Sequence, residues 1–481
     1  MKRLRMGLAG LSVIVITALS AVSVHAQVVT GTLGDGSTYL IEVPPNWNKT
    51  LFLYSHGYVV PGSSNPAQDV GDPATRQFML ANGYALAGSS YATTGWAVHE
   101  ALPDQIAVLD IFDAQFGKPQ RTIAWGHSLG GMITAGLIQR FPDRFDAALP
   151  MCGVVAGGIA TWNTGLDGAF AFKTLLGAGA PLQLVNIQGN PLANLGLAEN
   201  LLASAQQTPQ GRARIALAAA LGDLPGWFVP LSPEPSASDV ADQEMNQFLW
   251  DQQVNFPFGF AFRAELEARA GGNVSWNTRV DYPRQLARSP LRDEVRTLYQ
   301  QAGLDLGADL DTLNDAARIS ANEDAVEYLN QNITFNGNIR VPVLTMHTTG
   351  DGLVVVEQES AYDDVVDEAG HGRLLRQTFV HRAGHCAFTP AETVTAVQNL
   401  LHRLDTGKWP NLDDETLNTE ATALGPLNIF ASQGQVVPTP AAFVDFHPAP
   451  EPRPFDAFEA CKLNDDERGC HRSFDFFHDR D

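Results

Sequence analysis

The sequence is poor in basic residues: 31 Lys+Arg stand against 53 Asp+Glu among 481 residues, a formal charge of -22 at pH 7. It has no dense basic cluster, which excludes nucleic acid and other polyphosphate partners and gives no sign of a highly anionic substrate. Charged residues of both signs amount to only 17%, while hydrophobic residues make up 44%. That balance excludes the disordered and fibrous classes and provides for a large core. No repeat recurs at a fixed period. Beyond the first two dozen residues no stretch is apolar enough to span a bilayer. At about 100–200 residues per domain, the length implies two or three units, or one large fold carrying an insertion.

Residues 1–26 have the form of a signal peptide. Lys2, Arg3 and Arg5 form a basic head, Leu11 to Leu19 is a short apolar run, and Val24-His25-Ala26 offers a cleavage site before Gln27. The alternative, a membrane anchor, is weakened by Gly7, Gly10, Ser12 and Ser20, which dilute an uncharged stretch barely long enough to cross. The expectation is a secreted or periplasmic protein with no membrane span after processing.

Val28 to Leu33 and Ser37 to Val43, joined by Gly34-Asp35-Gly36, read as an opening β-hairpin. Continuous apolar runs then recur at Leu51 to Tyr54, Tyr84 to Ala87, Thr122 to Trp125, Ala147 to Met151, Val341 to Met346 and Leu374 to Val380. Helix-period stretches lie between several of them. Strands without polar alternation, interleaved with helices, indicate an α/β fold with a mostly parallel sheet buried on both faces. The alternation stops after Met151 and resumes at Val341, and the intervening segment carries helical patterns at Arg212 to Leu221, Asp242 to Asp251, Arg263 to Ala270, Leu291 to Ala302 and Asn322 to Leu329. We therefore expect a core of residues 27–153 plus 339–408, a helical lid domain over 154–338, and a C-terminal extension, 409–481, packed on the main body.

Thr122-Ile123-Ala124-Trp125 leads directly into Gly126-His127-Ser128-Leu129-Gly130, after which Gly131 opens a helical pattern. This is G-x-S-x-G between a strand and a helix, the context in which a sharp turn exposes the serine at the carboxyl end of the sheet. Ser128 is the candidate nucleophile, and the N–H of Leu129, at a helix N-terminus, a candidate oxyanion donor. A serine hydroxyl needs a base, and the base an orienting carboxylate. Asp351 follows the strand Val341 to Met346 and is the candidate acid; Glu357, Glu359, Asp363 and Asp364 read as a solvated helix face. His385 lies on the loop after the last strand and is the candidate base. His381 is its rival, placed at the strand end, and His127 packs under the turn. The second oxyanion donor is expected at Ser55-His56-Gly57-Tyr58, from the N–H of Tyr58, with a plain turn as the alternative.

These residues, His56-Gly57-Tyr58, Gly126 to Gly131, Asp351 and Gly384-His385, resemble the α/β-hydrolase superfamily of serine hydrolases. The likeness extends over Thr50 to Met151 and Val341 to Leu404. Ser89-Ser90-Tyr91, Gly95-Trp96 and Pro150-Met151-Cys152-Gly153 are most similar to secreted bacterial esterases and amidases of the phthalyl amidase kind. The resemblance implies an α/β-hydrolase fold and acyl transfer to water through an acyl-enzyme, with no cofactor. Carboxylic esters, small or oligomeric, are the expected substrates, with amides beside them; a secreted peptidase of the same fold and a catalytically silent binding protein are the alternatives. Tyr91 and Trp96 are candidate substrate contacts, or else seats for the lid. Four cysteines in an exported chain favour disulfides. Cys152 and Cys386 both belong to the catalytic edge and Cys461 and Cys470 to the tail, so those two pairings are expected. Asp305, Asp309, Asp311 and Asp315 read as a solvated helix, and His471, Asp475 and His478 lack a tight metal motif. No metal site is expected.

Overall fold

The computed structural model describes residues 26–455 apart from residue 433. Residues 1–25 of the expected signal peptide, Cys461, Cys470 and the His471, Asp475 and His478 group lie outside the described residues. Strands β1 (Gln27–Thr32) and β2 (Thr38–Val43) form the opening hairpin, with Gly36 at a φ of 95° in its turn. Then come β3 (Thr50–Ser55), β4 (Ala85–Ser89), β5 (Arg121–His127), β6 (Ala147–Met151), β7 (Val343–Gly350) and β8 (Leu375–Ala383). The sheet order is β1-β2-β4-β3-β5-β6-β7-β8, and a two-residue strand, Phe443–Val444, pairs antiparallel with β8 at the far edge. From β4 to β8 every neighbouring pair is parallel.

The missing polar alternation has a direct cause. Leu51, Leu53, Ala87, Ala124 and Val343 point into one apolar cluster, while Phe52, Tyr54, Leu86, Ile123, Trp125, Leu344 and Met346 point into another on the opposite face. Side chains alternate between faces, and both faces are covered, so both sets must be apolar. Helices α1 (Pro73–Ala81), α2 (Val98–Phe116) and α3 (Leu129–Arg140), with Gln358–Glu368 and Pro390–Thr406, provide the cover. Their starts are set by local chemistry. Asp72 accepts from the N–H groups of Ala74 and Thr75 ahead of α1, and Thr389 and Glu392 form a reciprocal capping box ahead of Pro390–Thr406.

Between β6 and β7 the chain is mostly helical. Helix α4 (Gly157–Leu176) starts at the carboxyl edge of the sheet and ties the two parts together. Its Ile159, Ala160 and Trp162 belong to the sheet's core, while Leu166, Phe170 and Phe172 belong to a separate apolar cluster formed within the insertion. The helices at Pro209–Leu221, Val240–Trp250, Arg263–Ala270, Arg292–Ala302 and Glu323–Gln331 coincide with the periodic stretches and Leu306–Asp315 with the helix expected around the aspartates; Pro191–Ala205 and Tyr282–Arg288 are additional. The four aspartates are not a uniformly solvated face. Asp305 caps Leu306–Asp315, and Asp309 is buried, pairing with Arg214 at 2.8 Å and accepting from the Tyr299 hydroxyl at 2.9 Å. Beyond residue 409 the chain returns to the body. Glu451 accepts from Thr164 Oγ1 at 2.7 Å, and Arg453 pairs with Asp167 at 2.7 Å, so the tail is fastened to α4. No helix among the described residues is long and apolar enough to cross a membrane.

Candidate active site

Ser128 sits between the end of β5 and the first turn of α3 with φ 60° and ψ -126°, a conformation costing about 1–3 kcal/mol that the surroundings must enforce. They enforce it by close approach. A Cβ on Gly130 would lie 1.9 Å from the carbonyl oxygen of Ser55, and one on Gly126 2.4 Å from the same oxygen, so β3 packs against the turn at backbone distance. The Ser128 N–H is held by the Met151 carbonyl at 3.0 Å. His127 does pack beneath the turn: it is bonded to the Tyr54 hydroxyl at 3.0 Å, and burial, with the nearby His385, lowers its pKa to about 4, so it is neutral.

The turn after β3 abuts the serine. A Cβ on Gly57 would lie 3.2 Å from Ser128 Cβ and 3.7 Å from its Oγ. Among the described residues neither the Tyr58 nor the Leu129 N–H has an acceptor within the protein. His56 is fixed through both ring nitrogens, to the Gly57 carbonyl at 2.8 Å and the Ser90 carbonyl at 3.1 Å. Tyr91 is not a cavity residue. It is buried beneath this turn at a φ of 59°, stacked on the His56 ring at 3.9 Å and donating to the His56 carbonyl at 3.0 Å. It therefore supports the Tyr58 segment and is not among the residues that line the cleft.

Asp351 and His385 meet as the sequence suggests. His385 Nδ1 lies 2.6 Å from Asp351 Oδ2, while Asp351 Oδ1 accepts the N–H groups of Leu353 at 2.9 Å and Val354 at 3.0 Å. His381 instead lies against Trp227 and 3.5 Å from Glu234. No hydrogen bond joins Ser128 Oγ to His385 among the described residues; His385 Nε2 is 3.4 Å from Cys386 Sγ. Such contacts are often long without substrate and tighten when it binds.

The disulfide Cys152–Cys386 is formed, with 5.3 Å between Cα atoms, and joins the residue after β6 to the residue after the histidine. Both half-cystines have positive φ, 43° and 53°. Cys152 Sγ, Cys386 Sγ and His385 form a group compact enough for a metal ion, but both sulfurs are bonded to each other. Only the imidazole would remain as a ligand.

Two residues behind Asp351 escape the sequence reading. His347, on β7, has no exposed surface; its Nδ1 is 3.0 Å from Glu359 Oε1 and its Nε2 is 2.8 Å from the Val354 carbonyl and 3.6 Å from Asp351 Oδ2. Its hydrogen-bond partners are all acceptors, so both nitrogens must carry protons. Burial opposes that charge, but bonds to Asp351 and Glu359 win and raise its pKa to about 10. Burial would likewise raise Asp351, but the His385 charge and bonds from His347 and His385 hold it well below the usual carboxylate range. Glu359 is not on a solvated face: it is fully buried and also accepts from Thr345 Oγ1 at 2.6 Å and Gln377 Nε2 at 2.7 Å. Glu357 is buried too.

Ser128 opens onto a cleft of about 1120 Å³, part of it continuous with solvent. Its walls are largely aromatic and aliphatic, including Tyr58, Trp96, Trp162, Phe256, Phe258 and Phe260. Trp96 does line it and also meets the insertion, its ring 5.6 Å from Trp162 and its backbone N–H donating to Glu265 Oε2 at 3.0 Å. Tyr58 packs on Phe258 at 5.0 Å.

Residues 87–164, which include the serine turn, match the model of the prolyl oligopeptidase family. An o-phthalyl amidase from Xanthobacter agilis is 32% identical over 445 residues, covering 84% of this chain and 94% of the relative. Among solved structures, an esterase from Aspergillus oryzae aligns at 12% identity over 89% of this chain and 88% of its own, with a TM-score of 0.40. The acylaminoacyl peptidase of Pyrococcus horikoshii aligns at 10% identity and a TM-score of 0.39 over 82% of this chain, which spans only 44% of the peptidase. By its similarity to the amidase across almost the whole of both sequences, the chain belongs to the same family, within the serine hydrolases of the α/β-hydrolase superfamily.

Proposed function

We propose that this protein is an exported hydrolase that cleaves the amide or ester bond of a bulky aromatic acyl group through an acyl-enzyme on Ser128. Ser128 Oγ attacks the carbonyl carbon while His385 Nε2 takes its proton, and Asp351 holds the imidazole by Nδ1 and stabilises its charged form. The N–H groups of Leu129 and Tyr58 receive the developing oxyanion. The leaving amine or alcohol takes the proton from His385, and water, activated by the same imidazole, releases the acid. The helical insertion acts as a lid that carries the far wall of the acyl pocket.

One observation carries the reading: a strained serine with free backbone N–H groups on either side faces an aromatic cleft, while an imidazole–carboxylate pair 2.6 Å apart lies at the same sheet edge. The relative adds the choice of bond, since its name describes an amidase; we extend the same chemistry, including an aryl acyl group, to this chain. Export is supported by the disulfide Cys152–Cys386 and the form of residues 1–26. The peptidase alternative draws on the match over residues 87–164, a segment that holds the serine but not Asp351, His385 or most of the pocket wall.

The test uses matched 4-nitrophenyl esters and 4-nitroanilides of aromatic and aliphatic acids. Aromatic acyl groups should be preferred in both series, and Ser128→Ala should lower kcat by about 10⁴-fold or more. Turnover that survives in Ser128→Ala, or a fluorophosphonate that fails to label the folded wild type, rejects the mechanism. Efficient cleavage of peptides but not of aryl esters and anilides supports the peptidase.

A further inference from the structure

Cys152 and Cys386 place two sulfur atoms beside the imidazole of His385, and acyl transfer uses neither. Cys152 directly follows β6 and Cys386 comes three residues after β8, so the parallel pairing of β6, β7 and β8 carries both sulfurs to one sheet edge. The two Sγ atoms and a ring nitrogen of His385 all lie within 4.8 Å of one another. Cys386 Sγ is 3.4 Å from His385 Nε2. Two donors on one tetrahedral zinc ion, a sulfur at about 2.3 Å and a nitrogen at about 2.0 Å, stand about 3.5 Å apart.

The imidazole is also oriented as that of a zinc ligand is. A metal-bound histidine uses one ring nitrogen and gives the other, as N–H, to a carboxylate that fixes the plane of the ring. His385 Nδ1 lies 2.6 Å from Asp351 Oδ2, and Nε2 has no partner among the described residues except the Cys386 sulfur. Cys152 is buried, but the His385 side chain is 20% exposed, so the group can be reached from solvent. One covalent bond separates it from a metal site, since the two sulfurs are joined to each other.

We propose that reduction of Cys152–Cys386 turns this group into a zinc site, built from both Sγ atoms and His385 Nε2, and that zinc bound there silences the hydrolase by withdrawing its base. A dithiol attacks one sulfur as the thiolate and then closes on itself. The protein's S–S bond breaks, the dithiol's own S–S bond forms, and two electrons and two protons pass to the cysteines. Zinc then replaces both thiol protons, which leave to solvent, and the Nε2 lone pair supplies the third ligand, with a fourth position left for water. Freed from each other, the sulfurs separate to the spacing of about 3.8 Å that a tetrahedral ion requires. Two thiolates and a neutral imidazole balance the charge of the ion and are soft donors that select zinc over calcium or magnesium. Oxidation by a disulfide reverses both steps and expels the metal. The Nε2 lone pair is the one that must accept the Ser128 proton, so the silencing, though not the metal site, rests on His385 as the base.

The experiment uses the full chain carrying Cys461→Ser and Cys470→Ser, which leaves Cys152 and Cys386 as its cysteines. The disulfide is reduced without oxygen by a trialkylphosphine, which takes the oxygen of a water molecule as the bond is cleaved. Cobalt(II), which replaces zinc and absorbs light, is titrated in first. An equivalent of cobalt should give the reduced chain a thiolate-to-metal charge-transfer band that is missing from the oxidised chain and from Cys152→Ser/Cys386→Ser, and zinc should displace it. His385→Ala should weaken binding by about tenfold or more, and Asp351→Asn, which removes the carboxylate behind the ligand, by about tenfold to a hundredfold. With a 4-nitrophenyl ester, an equivalent of zinc should lower kcat by about 10²-fold or more in the reduced chain only, and a chelator should restore it. Near-UV circular dichroism follows the fold, and a chain that unfolds on reduction should regain its signal with zinc. Absence of the band, equal cobalt affinity in His385→Ala, equal inhibition of the oxidised and reduced chains, or an unfolded reduced chain that zinc does not restore overturns the proposal. Zinc bound with Ser128-dependent turnover intact overturns it as well, because the imidazole would then be free. An oxidised chain with no Ser128-dependent turnover overturns the hydrolase mechanism instead, and the cobalt titration still decides the metal site.

Discussion

His347 shows how much of a site can lie outside its reacting atoms. With Glu359 on one side and the Val354 carbonyl and Asp351 on the other, it places a buried positive charge behind the acid that holds His385. Its raised pKa stabilises the fold fully below about 6.5, and that contribution disappears as pH rises through about 10. Asp351 works in the opposite sense: its lowered pKa stabilises above about 4 and the contribution fades as pH falls further. Glu357 and, beyond it, Asp223 are the other acidic groups on this side. His347→Gln should therefore cost about 1–3 kcal/mol, flatten the alkaline fall in stability and lower kcat more than it changes KM. Thermal unfolding and rates measured from pH 6 to 10 check each part, and an alkaline limb identical to the wild type would remove the charge assignment. Asp351 was legible in the sequence, but His347 and Glu359 were not. The apolar run ends at Met346, one residue short of His347, and Glu359 lies in a helix rich enough in acids to read as solvated.

Among the elements, the serine turn was the easiest to read because glycines occupy positions that backbone contacts forbid to anything else. Gly130→Ala would drive a Cβ into the Ser55 carbonyl, so loss of activity together with a lower melting temperature is expected, and a fully active, equally stable variant would contradict the packing. The parallel strands were legible for a similar reason: burial on two faces removes polar residues and leaves a run that a helix of that length would not show. Two π-helical stretches, Asp251–Asn255 and Phe258–Phe262, were not legible. Asp242 to Asp251 has an ordinary helical period, and nothing in the local sequence announces that the ladder widens after Trp250, where the chain lines the cleft. Helix α4 was missed because its first half belongs to one core and its second half to another, which blurs any single apolar stripe.

Across the whole molecule, the acidic composition and the large interior interact. Asp223 and Glu357 are buried within bonding reach of each other, and Glu451 is brought near by the tail. Burial, reinforced by the neighbouring carboxylates, raises Asp223 well above its normal value and Glu357 to about 7, and burial alone, against the pull of Thr164 and Arg453, raises Glu451 to about 7. Asp104 and Glu244, also raised to about 7 chiefly by burial, behave alike. Their contribution is fully present below about 4 and is lost as pH rises through about 7, so the melting temperature should fall by several degrees between pH 5.5 and 8. Glu451→Gln should reduce that fall, and differential scanning calorimetry at the two pH values decides it. The disulfide acts on a larger scale still. Its two cysteines are separated by 234 positions and enclose the insertion. A protease that cuts the chain anywhere inside that ring leaves two fragments still covalently joined, one bearing Ser128 and the other His385. Such nicked material would keep its full mass on a non-reducing gel and separate only after reduction, so the protein can lose chain continuity within the insertion while the serine and the histidine stay covalently linked.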